Sequence, residues 1–157
     1  MTNPERKYYI GVIGAGQCSP VVKKLAFEVG RQIAKSNAIL VCGGLGGVME
    51  SAAEGAKSEG GTTIGILPGR NRGDANRFID LAIPTGIGEA RNLVVINASD
   101  AIVALPGKFG TLSEFGFALK LNKPVVNMGG WDLKEAAVSS DNPEEAVRLV
   151  LQKIAAK

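Results

Sequence analysis

The chain has 157 residues, of which 45% are hydrophobic and 21% are charged, a balance that excludes an intrinsically disordered protein. The net charge of +3 and the pI near 8.9 are too mild to indicate a nucleic-acid partner by themselves. There is no histidine, which excludes Ser-His-Asp and Cys-His catalysis and any histidine-based zinc site.

The two cysteines, Cys18 and Cys42, are too few for a disulfide framework. We find neither a signal-peptide core at the N-terminus nor an apolar run long enough to span a membrane. These features lead us to expect a cytoplasmic protein with no membrane contact.

Short apolar runs alternate along the chain with stretches of helical period. Strands are predicted at 8–13, 39–42, 62–67, 79–83, 101–105 and, as the last one, 124–128. Helices are predicted at 22–36, 48–59 and 88–99, and around residues 112–119. A final helix begins at Asn142 as N-cap, with Pro143 at N1 and Glu145 at N3.

This alternation, with continuous Val/Ile/Leu runs in the strands, predicts one three-layer, doubly wound, Rossmann-like α/β domain over residues 1–157. Its sheet is expected to be mostly parallel. In such folds ligands bind beyond the carboxyl ends of the strands, where the strand order reverses. The glycine-rich loops fall at those ends.

Two glycine loops follow the first two strands. Gly14 and Gly16 open the first, but Ser19 stands where a dinucleotide fingerprint needs a third glycine, so NAD binding is not indicated. This loop either turns its amides toward a smaller ligand or only turns the chain. The second loop contains Gly43, Gly44 and Gly47 and opens a helix, whose N-terminal amides attract anions. The same glycines are also explained by close packing of the helix on the strand, and both interpretations can hold.

The third loop lies in the stretch ALPGKFGTLSEF, residues 104–115. Gly107 and Gly110 permit a tight turn, and Thr111 is expected to begin a helix. The amides of residues 108–112 and the Thr111 hydroxyl would then converge on a phosphate. Lys108 either adds a positive charge there or points to solvent.

Glu114 has two interpretations. Thr111-x-x-Glu114 fits a capping box, in which the glutamate satisfies an amide of its own helix. Alternatively, the carboxylate binds a sugar hydroxyl, or stabilises the positive charge that a sugar ring gains as a glycosidic bond breaks.

Taken in order, GGLGGVME, ILPG, GEARN and ALPGKFGTLSE resemble the Lonely Guy and molybdenum-cofactor-carrier superfamily over about residues 8–127. The chain length and the motif IPTGIGEARN are most similar to the short, carrier-like branch of this superfamily. The DNA-processing protein of natural transformation resembles the chain more remotely. Lonely Guy enzymes carry a PGGxGTxxE loop and an upstream Arg-Lys pair. In this chain Lys108 replaces the second glycine of that loop, Arg91 matches the arginine, and Asn92 replaces the lysine.

The resemblance implies that the loop from Gly107 to Thr111 binds a 5′-phosphate. It also implies catalytic roles for Glu114 at the ribose and for Arg91 at the leaving base or the phosphate. From the loops and this resemblance together, we predict that the protein binds a phosphorylated small molecule, in the first place a nucleoside 5′-monophosphate, between loops 14–20, 43–48 and 106–114. Hydrolysis of its N-glycosidic bond to free base and ribose 5-phosphate is the activity that the resemblance to Lonely Guy enzymes implies.

Two other functions stay open. The first is a non-catalytic carrier, with molybdenum cofactor or a related phosphorylated pterin as cargo and no cofactor or metal required. The second is a DNA-associated protein, for which Arg70, Arg72 and Arg77 form the basic cluster. Asp74 and Asp80 dilute the positive charge of this cluster, and no aromatic residues interleave it for base stacking. Relatives of this kind form homo-oligomers, and we expect a dimer or tetramer.

Overall fold

The computed structural model describes residues 5–133 and 137–157. Its strands are β1 (Tyr9–Ile13), β2 (Ile39–Cys42), β3 (Thr63–Leu67), β4 (Leu81–Pro84), β5 (Ala101–Ala104), β6 (Val125–Asn127) and β7 (Val138–Ser139). Its helices are α1 (Pro20–Lys35), α2 (Val48–Ser58), α3 (Arg91–Ala98), α4 (Phe109–Lys120) and α5 (Pro143–Ala155). Short 3₁₀ turns at Arg72–Asp74 and Gly88–Ala90 complete the regular structure of the described residues.

The strands form one sheet in the order β4-β3-β2-β1-β5-β6-β7, and every pairing is parallel. The chain winds outward from β1 to β4, then returns to the other side of β1 for β5, β6 and β7. This confirms the doubly wound α/β fold. The order reverses between β1 and β5, so the carboxyl ends of these two strands are where a ligand site is expected.

Helices cover the sheet on both faces, as the unbroken apolar strands require. One core joins the sheet to α1, α2 and α5, and its fully buried side chains include Ile10, Val29 and Val150. The other core joins the opposite face to α3 and α4 around Phe115 and Ile96. The two cores hold the loops at the carboxyl edge between rigid elements.

Two local predictions were wrong at the sheet edges. The strand at 124–128 was predicted to be the last, but a two-residue edge strand, β7, follows it. This strand is too short to show a periodic pattern of apolar residues in the sequence. In the predicted strand 79–83, the alternation of Ile79, Leu81 and Ile83 indicates a half-buried strand with one apolar face in the core, but in β4 both Leu81 and Ile83 are exposed. None of the helices in the described part of the chain is long and apolar enough to cross a membrane.

Candidate functional site

A cleft of about 510 Å³ opens at the carboxyl ends of β1, β2 and β5. That volume is in the range that binds small molecules. Parts of all three glycine loops line it, together with the start of α3. Among the residues singled out from the sequence, those that line it are Gly14, Gly16, Gly43, Arg91, Lys108, Gly110, Thr111 and Glu114.

Three of the predicted phosphate-binding glycines, Gly44, Gly47 and Gly107, do not line the cleft. Gly44 and Gly47 have φ angles of +78° and +63°, a region that disfavours residues with a side chain. A Cβ at Gly107 would lie 2.0 Å from Thr111 Oγ1, so the absent side chain there makes room for the threonine. These glycines shape the loops around the cleft.

Ala15 joins the three loops. Its amide donates to the Pro106 carbonyl at 2.9 Å, and its own carbonyl accepts from the Val48 amide at 2.9 Å. The loop after β1 is therefore bonded both to the loop after β5 and to the first residue of α2. The cleft walls are held in place by main-chain hydrogen bonds.

The first turn of α4 presents its amides at the cleft. The helix begins at Phe109, two residues earlier than expected, with Lys108 as N-cap. The Leu112 amide donates to the Lys108 carbonyl at 3.0 Å, which removes it from the predicted phosphate-binding set. The amides of residues 109, 110 and 111 have no hydrogen-bond partner among the described residues, as is usual for the first turn of a helix.

The capping-box interpretation of Glu114 is wrong. Because α4 begins at Phe109, Thr111 lies inside the helix, and none of the side chains that the structure describes caps the helix N-terminus. Both Thr111 and Glu114 are buried. Lys108 has a φ of −100°, which any residue adopts, so replacing the motif's second glycine by lysine does not strain this turn.

Arg91 lies at the start of α3 and is 7% exposed. Its Nη1 donates to Asn92 Oδ1, and its Nη2 lies 3.4 Å from the Gly43 carbonyl oxygen. Its Nε is buried without a hydrogen-bond partner among the described residues. A buried guanidinium nitrogen without an acceptor is costly, and in a cleft wall it indicates a place for an anionic or polar ligand.

Glu114 faces Arg91 without a hydrogen bond between them. Arg91 Nη1 and Glu114 Oε1 are 3.9 Å apart. Burial raises the pKa of the Glu114 carboxyl to about 8, against the lowering effect of Arg91 and with a smaller upward contribution from Glu89. At neutral pH the carboxyl is therefore mostly protonated, which makes it a hydrogen-bond donor.

Asn92 occupies the position of the motif's lysine. The Asn92 Oδ1 atom accepts a hydrogen bond from Arg91, and Asn92 Nδ2 donates to Ser113 Oγ at 3.1 Å. The Ser113 hydroxyl in turn donates to the Gly110 carbonyl at 2.6 Å. Asn92 thus links Arg91 to the first turn of α4. This positioning role was not predicted, because nothing in the sequence shows that α3 and α4 meet here.

The cleft wall contains other residues that were not singled out. Gln17, Leu45, Met49 and Glu89 all line it. Each lies within or next to a motif that the sequence analysis had identified. Their orientation toward the cleft follows from the loop conformations, which only the fold defines.

Both cysteines are free thiols. Burial raises the pKa of the Cys42 thiol to about 12, and burial also raises that of Cys18, with an opposing effect of Lys23. A thiol with a raised pKa stays protonated at neutral pH, so neither cysteine is an activated nucleophile.

Comparisons with known proteins agree with this geometry. The molybdenum cofactor binding protein from Rippkaea orientalis superposes with a TM-score of 0.90 at 38% identity, covering 96% of this chain and 99% of that protein. The molybdenum cofactor carrier protein from Chlamydomonas reinhardtii gives 0.85 at 35% identity, covering 97% of this chain and 100% of the other.

A Mycobacterium tuberculosis cytokinin riboside 5′-monophosphate phosphoribohydrolase is 36% identical over 118 residues. The alignment covers 69% of this chain and 63% of that enzyme. The loop motifs had indicated both groups of relatives, and these matches confirm that resemblance. Residues 7–156 match the SLOG cluster4 family, and the chain therefore belongs to this family.

Proposed function

We propose that the cleft binds a phosphorylated small molecule. One observation carries the proposal: Gly110 and Thr111, whose amides have no partner among the described residues, line the same cleft of about 510 Å³ as Arg91, whose buried Nε is also without a hydrogen-bond partner there. Helix N-termini and buried arginines are the groups that proteins use to bind phosphate. Because the loops are already bonded to each other, little ordering is needed when the ligand binds.

The charges of the cleft fit an anion. Arg91 and Lys108 are positive and Glu89 is negative, while Glu114 is mostly neutral below its pKa of about 8. A phosphate placed at the N-terminus of α4 would gain charge-assisted hydrogen bonds. It would also not meet an ionised carboxylate at Glu114 at neutral pH.

As the finer assignment, we propose a carrier of a phosphorylated cofactor, with molybdenum cofactor or a related phosphorylated pterin as the cargo. Two observations favour binding without hydrolysis. A glutamate that is neutral at pH 7 does not stabilise a developing positive charge on a sugar, and Asn92 supplies no second cation. The two relatives named as cofactor-binding proteins also match nearly the whole chain.

Hydrolysis of a nucleoside 5′-monophosphate is the second candidate, favoured by the proximity of Glu114 and Arg91 in the cleft. In that reaction water adds to the anomeric carbon of the ribose, the N-glycosidic bond breaks, and the base leaves with a proton. Ionised Glu114 would stabilise the oxocarbenium-like transition state. Since its pKa is about 8, the rate would rise with pH.

A thermal-shift screen against AMP and a phosphorylated pterin tests the binding function. A ligand at a hundred times its dissociation constant stabilises the native state by about 2.7 kcal/mol. Ligand binding can also be followed by tryptophan fluorescence. The single tryptophan of the chain, Trp131, donates to the Lys108 carbonyl at 3.0 Å and therefore reports on the loop that opens α4. No shift with either compound would refute the proposal.

Chromatography of an AMP incubation separates the two finer assignments. A carrier returns AMP unchanged at pH 7 and pH 9. Release of adenine that rises with pH and disappears in Glu114→Gln would establish the hydrolase instead.

A further inference from the structure

The first turn of α4 is weakly held by its own sequence. None of the described side chains caps its N-terminus, and glycines lie before and within the turn, at Gly107 and Gly110. Helix ends fray readily, and glycine adds conformational freedom to the backbone. A contact from another part of the fold is therefore needed to keep the first amides of α4 in place.

Trp131, in the loop after β6, provides such a contact. Its indole Nε1 donates to the Lys108 carbonyl at 3.0 Å, in addition to the bond that this carbonyl accepts from the Leu112 amide. Its ring also stacks on that of Phe109, with the ring centres 5.9 Å apart and the planes inclined by 30°. Because Phe109 is 78% exposed, it is not anchored in a core. Trp131 thus holds both the N-cap residue and the first residue of α4.

The loop that carries Trp131 is itself fixed to the sheet. Asn127, buried at the end of β6, donates from Nδ2 to the Trp131 carbonyl at 2.9 Å and accepts from the Gly130 amide at 2.9 Å. A Cβ at Gly130 would lie 3.1 Å from the Leu105 carbonyl oxygen, so this turn packs closely on the segment after β5. The indole is therefore presented to Lys108 from a rigid position.

A fixed Lys108 carbonyl also fixes the direction of an amide. In a planar trans peptide, the C=O of one residue and the N–H of the next point in opposite directions. The Lys108 carbonyl points into α4, toward the Leu112 amide, so the Phe109 N–H points out of the helix N-terminus. Lys108 and Gly110, on either side of Phe109, both line the cleft. The indole bond thus orients one of the three unpaired amides at the start of α4.

We propose that Trp131 is a positioning residue for phosphate binding in the cleft, because its indole N–H and its stack on Phe109 hold the amides of α4 in the binding orientation. The inference rests on the proposed phosphate-binding function. Trp131 is not among the residues that line the cleft, so it acts through Lys108 and Phe109 and not by touching the ligand. Holding these groups in advance lowers the ordering cost of binding.

The variant Trp131→Phe tests this role, because it keeps an aromatic ring for the stack and removes the indole donor. The full chain is titrated with inorganic phosphate and followed by NMR of the backbone amides. The affinity of the variant should be about fivefold lower than that of the wild type, the factor that one hydrogen bond typically contributes. The melting temperature without phosphate should change little, since the bond holds only the end of one helix.

Tyr8→Phe is the matched control. It also removes a donor from a partly exposed aromatic residue, but Tyr8 lies just before β1, at the opposite edge of the sheet. This variant should bind inorganic phosphate as the wild type does.

A second measurement needs no variant. Because Trp131 is the only tryptophan of the chain, its indole N–H gives a single, unambiguous NMR signal. If the bond to Lys108 favours phosphate binding, bound phosphate must favour the bond by a similar factor. Saturating phosphate should therefore slow the exchange of the indole proton with solvent by about fivefold in the wild-type protein.

Three results would overturn the positioning role. Equal phosphate affinities of Trp131→Phe and the wild type, or indole exchange that phosphate leaves unchanged, would refute it and leave the cleft as a phosphate site. A large fall in melting temperature with unchanged indole exchange would show that Trp131 only stabilises the fold. If inorganic phosphate does not bind the wild-type chain, the proposed function fails, and the positioning role fails with it.

Discussion

Two pairs of basic and acidic side chains in this molecule have opposite environments. Lys57 and Asp80 lie where α2 meets the start of β4, 2.9 Å apart and about one-third exposed. The carboxylate also accepts from the Thr63 amide at 3.0 Å. Arg91 and Glu114 lie in the cleft, 3.9 Å apart, buried and without a hydrogen bond to each other.

The pKa values follow these environments. Desolvation acts to raise the pKa of Asp80, but the hydrogen bonds from Lys57 and Thr63 outweigh it and hold the pKa below its ordinary value. Burial dominates at Glu114 and raises the pKa to about 8. A satisfied pair at an edge stabilises the fold, whereas an unsatisfied pair in a cleft keeps its hydrogen-bonding capacity for a ligand.

The largest effect that separates the two pairs is the pH dependence of stability. A glutamate titrates near 4.5 in the unfolded chain and near 8 in the folded cleft, so the folded state holds the proton longer. The contribution of Glu114 to the free energy of unfolding is complete below about pH 4.5 and is lost as pH rises to 8, by about 5 kcal/mol in total. Glu114→Gln should remove this loss, measured by urea unfolding at several pH values.

Asp80→Asn is the matched control for that experiment. Its depressed pKa means that Asp80 stabilises the fold above its ordinary pKa of 3.8 and loses this contribution as pH falls. The two variants should therefore differ from the wild type with opposite signs at pH 8. If the free energy of unfolding of Glu114→Gln changes with pH between 5 and 8 as that of the wild type does, burial does not raise the pKa of Glu114, and the comparison fails.

The next effect concerns ligand binding. Arg91→Met should remove the stabilisation of about 2.7 kcal/mol that AMP provides at a hundred times its dissociation constant, because the variant lacks the buried guanidinium. The fold itself should lose little, since an apolar side chain of similar length avoids burying an incompletely paired charge. Thermal unfolding with and without AMP measures both quantities.

Asn97→Ala provides the control, since Asn97 is exposed on the same helix and does not line the cleft. It should keep the full response to AMP. Retention of that response by Arg91→Met would show that the amides of α4 bind the phosphate without help from the arginine.

The smallest effect is expected at the edge pair. Lys57→Met should lower the free energy of unfolding by about 1 kcal/mol or less, because the pair is partly exposed and Asp80 keeps its bonds to Thr63. The response to AMP should not change. A loss of several kcal/mol, or a weakened response to AMP, would mean that the edge pair is coupled to the cleft.

Helix starts show how far local sequence reasoning reaches. At α5 the prediction is confirmed: Asn142 Oδ1 accepts from the Glu145 amide at 3.0 Å, with Pro143 at N1. The similar pattern Thr111-x-x-Glu114 failed, because α4 begins two residues earlier and both side chains are buried. Capping is a local property only where the helix end is solvent-exposed, and tertiary contacts override it in a cleft.

The sequence by itself determined the fold class and the loops that surround the cleft. Alternating apolar runs encode a parallel sheet, and glycine loops after its strands must gather at one edge. It also singled out Arg91 and Glu114, through the resemblance of their motifs, and both residues line the cleft. These are properties of the chain pattern, which does not depend on exact distances.

Only the tertiary structure determined the distance and the electrostatic interaction between Arg91 and Glu114. The separation of 3.9 Å, the unpartnered Arg91 Nε and the link through Asn92 depend on how α3 packs against α4. The raised pKa of Glu114 depends on burial, which arises from elements far apart in the chain. Electrostatic interactions vary with distance and solvent access, and both quantities exist only once the chain has folded.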